Sequence, residues 1–230
     1  MVLRKEIAAT IFALGLLTPP LYSAAATVLR GTLVQASSHD ILLDPENLEW
    51  STEAPAKFRA RFATSKGDFI VEVHRDWAPL GADRFFNLVR LGFYDDSYVF
   101  RVRAGVFVQF GLSGVPAINA AWYDHTILDD PPQQQHARGR VFFAMRRPDD
   151  RTTQTVINLR DNPDYYDQGF VPFGEVIKGM NVVDNLYSGY AEVAGGGMRG
   201  GNQGRILREG NAHLEADFPL LDRIFRAVIE

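Results

Sequence analysis

The stretch GFYDDSYVFRVRAGVFVQFG, from Gly92 to Gly111, decides the reading of the chain. A polar turn at Asp95-Asp96-Ser97 leads into a strand-like run of β-branched and aromatic residues in which one guanidinium, that of Arg101, reads as buried among apolar neighbours. Side chains alternate across a strand. Arg101, Phe107 and Gln109 therefore share one face, and Val106, Val108 and Phe110 share the other. The second face reads as core. The first sets a cation, an amide and an aromatic ring side by side.

Working outward, further blocks fall into place. Thr64-Ser65-Lys66-Gly67-Asp68-Phe69-Ile70-Val71-Glu72-Val73 reads as a hairpin, with Phe58, Ala60 and Phe62 alternating before it and Gly67-Asp68 at the turn. Pro79 suits the first turn of a helix. Phe85, Leu88 and Val89 follow at helical spacing, and Gly92 is the stop signal. A second short helix is expected from Met180 to Tyr187, with Val182, Val183 and Leu186 inward, and Ile224 to Ile229 supplies a last strand. Many short strands with two helices argue for an antiparallel barrel.

These blocks resemble the cyclophilin-type peptidyl-prolyl isomerases, whose usual pattern here is G-F-Y-D, F-H-R, P-G-F and Q-G-G. The resemblance extends through Gly139–Met145, Thr152–Leu159, Phe170–Val176 and Gly179–Asp184, in matching order. The segment Gln203 to Leu214 is similar to a variant seen in some bacterial members. The resemblance implies a mainly β fold: a closed, eight-stranded antiparallel barrel capped by a helix at each end, spanning residues 57–230. It implies that Arg101 is catalytic. Substrate would be bound by Phe107, Gln109, Met145, Gln154, Val156, Tyr165, Tyr166 and Phe170. Several of these depart from the family's habit. Val156 stands where a pocket Phe is common, and Phe170 where a His is frequent. Phe100 replaces the His before the Arg. Met145 replaces an Asn, and Tyr165 a Trp. Loss of pocket carbons at Val156 implies a shallower proline site and a slower enzyme.

The chemistry asked of such a site is rotation about an X-Pro amide, whose barrier is about 18–20 kcal/mol. No bond breaks, so no cofactor, metal or nucleophile is expected. A donor near the prolyl nitrogen favours the twisted amide over the planar one, and Arg offers a planar fork of donors that Lys lacks. The expected partners are proline-containing, extended polypeptides. The alternative is a catalytically weak or inactive peptide-binding module. A hollow ligand-carrying barrel is disfavoured by 16 Phe residues, enough to fill the interior.

Composition narrows the rest. A formal charge of −4 without a Lys/Arg stripe argues against a nucleic-acid binder, and the absence of cysteine excludes thiol chemistry and disulfides. Residues 1–26 read as a signal peptide: Arg4 and Lys5, an apolar run from Ile7 to Leu17 too short to span a bilayer, then Ala24-Ala25-Ala26. Residues 27–56 read as an extension. A secreted or periplasmic monomer without stable membrane insertion is expected. Gly195 to Gly200 formally fits G-x-G-x-x-G, but no strand precedes it and no helix follows, so it reads as loop. Asp129-Asp130 and Asp149-Asp150, next to prolines, read as turn residues.

Overall fold

In the computed structural model of the protein, which describes residues 38–195 and 203–230, the alternation around Phe58 folds into a hairpin. Strands β1 (Lys57–Thr64) and β2 (Gly67–His74) pair antiparallel, with Phe58, Ala60 and Phe62 buried from one and Phe69, Val71 and Val73 from the other. The turn is Ser65-Lys66, earlier than the sequence suggests, and Gly67 already pairs with Thr64. Thr64 accounts for the shift. Its hydroxyl accepts from the Lys66 amide at 3.2 Å and donates to the Gly67 carbonyl at 2.7 Å, closing the turn.

The other strands are β3 (Ser97–Tyr98), β4 (Arg101–Arg103), β5 (Phe107–Phe110), β6 (Arg140–Phe143), β7 (Thr155–Asn158), β8 (Pro172–Lys178) and β9 (Arg223–Ile229). They form one curled antiparallel sheet in the order β3-β9-β1-β2-β8-β6-β7-β5-β4. The expected closed barrel of eight strands is thus, among the described residues, an open sheet of nine with β3 and β4 at its edges. The reason lies at Val99-Phe100. There the strand-like run splits, so that β3 pairs with β9 while β4 turns to β5.

Rings fill the inside of the curl. Phe62 stacks on Phe69 at 4.9 Å and meets Phe110 edge-on at 5.5 Å, while Phe85, Phe143 and Phe173 pack together further along. Such pairs add about 0.5–1.5 kcal/mol each beyond the area they bury. Helix α2 (Pro79–Arg90) covers one end with Phe85, Leu88 and Val89 inward. It follows α1 (Ser38–Leu42) in the chain. Asp130 caps the start of α2, accepting from the Leu80 and Gly81 amides at 2.9 Å each, and pairs with the buried Arg151. Asp130 is therefore a buried structural acid and not the turn residue that its sequence context suggests.

Residues 42–54 pack on this same end. Trp122 donates its indole N–H to the Leu42 carbonyl, Trp50 meets Trp122 edge-on at 4.5 Å, and Ala54 N–H reaches Asp83. The signal segment 1–26 and residues 27–37 lie outside the described residues, as do Gly196 to Gly200 of the glycine-rich run.

The described residues hold more helices than the two expected. Besides α2 there are α3 (Pro116–Trp122), α4 (Asp164–Asp167), α5 (Met180–Asp184), α6 (Gln203–Glu209) and α7 (Asn211–Asp217). The helix expected to reach Tyr187 ends at Asp184, where the Asn185 side chain donates back to the Asn181 carbonyl. Phe100, Leu112, Ala194, Ile206, Leu214 and Leu221 make a second apolar cluster beneath α6 and α7.

Gly111 ends β5 with φ +101°, and a Cβ there would collide with the Thr153 carbonyl oxygen. Both the backbone angle and the space demand glycine. Gly111→Ala should therefore lower stability by about 2 kcal/mol or more, read as a drop in urea midpoint.

Candidate active site

The site is built on the outer edge of the curl, where β4, β5, β7 and β6 run side by side. Register sets its pieces: Arg101 faces Gln109, Gln109 faces Val156, and Val156 faces Phe142. One row across four strands thus presents a guanidinium, an amide, a small apolar side chain and a ring. Phe107, Phe142 and Val156 form a buried floor of their own, with Val106, Ala144, Tyr165 and Phe170 packed against it. Val106 belongs to this side and not to the core face that alternation assigns it. It closes the turn after β4, its amide bonded to the Arg103 carbonyl, so strand parity does not yet hold there. Val108 and Phe110 do enter the main core.

Arg101 is held on three sides. Its Nη1 donates to Gln109 Oε1 at 3.0 Å, its Nε donates to Glu192 Oε1 at 3.1 Å with Nη2 joining it, and Cζ lies 4.7 Å from the Phe107 ring centroid. The hydrogen bonds then run in one direction. Gln109 Nε2 donates to Gln154 Oε1 at 2.7 Å, Gln154 Nε2 to Gln203 Oε1 at 3.3 Å, and Gln203 Nε2 to the Gly195 carbonyl at 3.5 Å. Chemistry fixes this direction at both ends, because Arg can only donate and a carbonyl can only accept. Each Gln spends its oxygen and one N–H inside the chain. Among the described residues, the second N–H of Gln109 and of Gln154 has no further partner, nor has one hydrogen on each of Nη1 and Nη2 of Arg101. The site therefore offers donors, which suits the carbonyl-rich edge of an extended peptide.

The rings are held from behind. His136 meets Phe142 edge-on at 4.7 Å and Tyr165 at 5.6 Å, and Phe142 lies 5.4 Å from Phe170. His136 Nε2 donates to the Phe170 carbonyl at 2.9 Å, and Asn158 Nδ2 reaches Nδ1 at 3.4 Å, so the imidazole is a neutral tautomer with each nitrogen in use. Burial lowers its pKa, only partly opposed by the Phe170 carbonyl, which agrees with that form. Burial likewise raises the Tyr165 phenol, against the pull of Arg103 and Arg101. Glu192 is held below the usual carboxylate range, chiefly by its hydrogen bond from Arg101.

Of the residues the sequence nominates, Arg101, Phe107, Gln109, Gln154, Val156, Tyr165 and Phe170 come together here. Met145 stands at the rim with its methyl over Gly169. Tyr166 turns away and donates to the Pro132 carbonyl at 3.4 Å. Phe100 points into the second cluster, behind the site. Phe142, His136, Glu192 and Gln203 belong to the site and are not nominated by sequence. Phe142 could have been found by pairing its strand to Val156. Among the described residues no three His, Asp or Glu side chains cluster as a metal site would, and no helix is long and apolar enough to cross a membrane.

Comparison with known proteins bears on the family and the fold. The sequence model of the family described as cyclophilin type peptidyl-prolyl cis-trans isomerase/CLD matches residues 59–201. A peptidyl-prolyl cis-trans isomerase of Acinetobacter baylyi is 30% identical over 143 residues, 59% of this chain and 75% of that protein. Peptidyl-prolyl cis-trans isomerase B of Escherichia coli is 29% identical over 135 residues, 54% of this chain and 81% of its own. Among solved structures, a cyclophilin type isomerase of Cryptosporidium parvum superposes with TM-score 0.54 at 19% identity, covering 76% of this chain and 98% of that one. A second structure of it, in the presence of the dipeptide Ala-Pro, gives 0.53 at 20% identity over 75% and 98%. With its blocks, its curled sheet and most of its length matched, the chain belongs to the cyclophilin-type peptidyl-prolyl cis-trans isomerase family.

Proposed function

We propose that the protein isomerises X-Pro bonds in extended segments of exported proteins, with Arg101 donating to the prolyl amide above the Phe107–Phe142–Val156 floor. The observation that carries this reading is the state of Arg101. It is clamped by a carboxylate, an amide and a ring, yet two of its N–H groups have no partner among the described residues and lie beside an apolar surface. A donor fixed before substrate arrives needs no reorganisation as the amide twists, and low polarity around it strengthens the bond it makes. Gln109 and Gln154 would hold substrate carbonyls on either side of the proline. Export rests on the basic, apolar and small-residue pattern of residues 1–26, and the N-terminal sequence of the mature protein tests it.

The binding is tested by titrating an extended peptide with one central proline into isotope-labelled protein. The side-chain amides of Gln109 and Gln154 and the rings of Phe107 and Phe142 should shift together. A peptide with Ala in place of Pro should bind at least tenfold more weakly, since it lacks the ring that the floor accepts. Equal binding of the two peptides would contradict the proline site.

One observation favours the second reading, a peptide-binding module with little turnover. Phe107 and Val156 are only 6% and 5% exposed, because Tyr165 and Phe170 lie against the floor. A proline must displace part of that cover. Phe170→Ala separates the readings: if the cover limits turnover, this variant raises the isomerisation rate several-fold, and if the site does not turn over, it stays silent while binding tightens.

A further inference from the structure

We infer that Glu192 is a positioning residue for the isomerisation: its carboxylate fixes the Nε side of the Arg101 guanidinium so that the far edge of the fork stays free for the prolyl amide. This rests on the reading of Arg101 as the catalytic donor. Of the five N–H groups of an Arg side chain, Nε–H and one on Nη2 go to Glu192 and one on Nη1 goes to Gln109. What remains, among the described residues, is one hydrogen on each terminal nitrogen. The carboxylate therefore does not occupy the edge a substrate needs; it sets the plane of that edge.

The turn that carries Glu192 is anchored. Ala191 N–H bonds the Ser188 carbonyl at 2.9 Å and Val193 N–H bonds Tyr190 at 2.8 Å. The Ala191 carbonyl accepts from the Val102 amide at 3.3 Å, so the turn is laced to β4 next to Arg101 itself. Ala191 holds φ +46°, a conformation an Ala adopts only when its surroundings impose it. Ala194 is fully buried against the second cluster, and a Cβ on Gly195 would strike the Phe100 ring. Phe100 thus packs under the loop that delivers the carboxylate. Gly195 also receives the end of the Gln chain that starts at Arg101. The loop touches the guanidinium at one end of the network and closes it at the other.

The test measures kcat and KM on an X-Pro peptide. Glu192→Ala should lower kcat about tenfold, by loosening the donor's aim, with KM changed less than twofold. Glu192→Gln keeps an acceptor oxygen and should recover activity to within about threefold of the parent. In an Arg101→Ala background, Glu192→Ala should have no further effect. Because Glu192 is a half-exposed surface residue, its thermal midpoint serves as a check that folding is intact. An unchanged kcat in Glu192→Ala, alongside a large loss in Arg101→Ala, overturns the inference and leaves the isomerase reading standing. A rise in kcat/KM also overturns it, by making Glu192 a competitor of substrate. If Arg101→Ala itself retains activity, the underlying reading fails instead.

Discussion

Arg101→Ala lowers kcat/KM on an X-Pro peptide by about a hundredfold, while peptide affinity falls far less. Removing one preorganised donor from a water-poor site costs about 10²–10³ in rate in comparable electrostatic sites. Arg101 is placed to be such a donor: its side chain is 19% exposed, it stacks on Phe107, and it is fixed by Gln109 and Glu192. Affinity survives because the amides of Gln109 and Gln154 and the floor of Phe107, Phe142 and Val156 remain. Arg101→Lys should fare little better. An ammonium cannot serve Glu192 and Gln109 and still present a planar edge to the prolyl nitrogen. Stopped-flow assays of peptide isomerisation, read as kcat and KM separately, check both variants.

Asp130→Ala has the largest effect on stability, a loss of about 3–5 kcal/mol. Arg151 is 1% exposed; its Nε lies 3.0 Å from Asp129 Oδ1 and its Nη1 3.1 Å from Asp130 Oδ2. Taking Asp130 away leaves that guanidinium in the interior with only the partly exposed Asp129 and the Leu128 carbonyl to face it. It also strips the acceptor from the Leu80 and Gly81 amides, so helix α2 starts uncapped. Asp130→Asn keeps one acceptor oxygen for the helix start and should lose roughly half as much. Urea unfolding followed by tryptophan fluorescence measures both, with Trp50 and Trp122 packed edge-on at this same end. A loss below about 1 kcal/mol would show that Arg151 finds other partners.

The parts of the site legible in the sequence are those set by strand period. Arg101, Phe107 and Gln109 share a face because β4 and β5 are short, regular and paired in register. Val106 escapes the same rule because a turn precedes it. Phe142 was hidden by its neighbours: Val141 and Phe143 are apolar too, so alternation gives that strand no inside or outside, and only its pairing with Val156 does. Glu192 carries no local signal. It reaches Arg101 across a separation of 91 residues from an irregular loop. Asp130 looks like a turn acid until Arg151, far along the chain, is seen to bury it. The fold was legible as a mainly β, curled antiparallel sheet with an aromatic interior. Closure was not, because it depends on whether the ladder continues through Val99-Phe100, and Phe100 turns instead toward Ala194 and Ile206.

The most direct test is exchange spectroscopy on a proline peptide whose cis and trans forms give separate resonances. Uncatalysed, they interconvert over tens of seconds or longer. With a small fraction of this protein added, cross-peaks between the two should grow in proportion to its concentration, and Arg101→Ala should nearly abolish them while the peptide still binds. Bound peptide with no exchange in the parent protein, or undiminished exchange in the variant, would contradict the account.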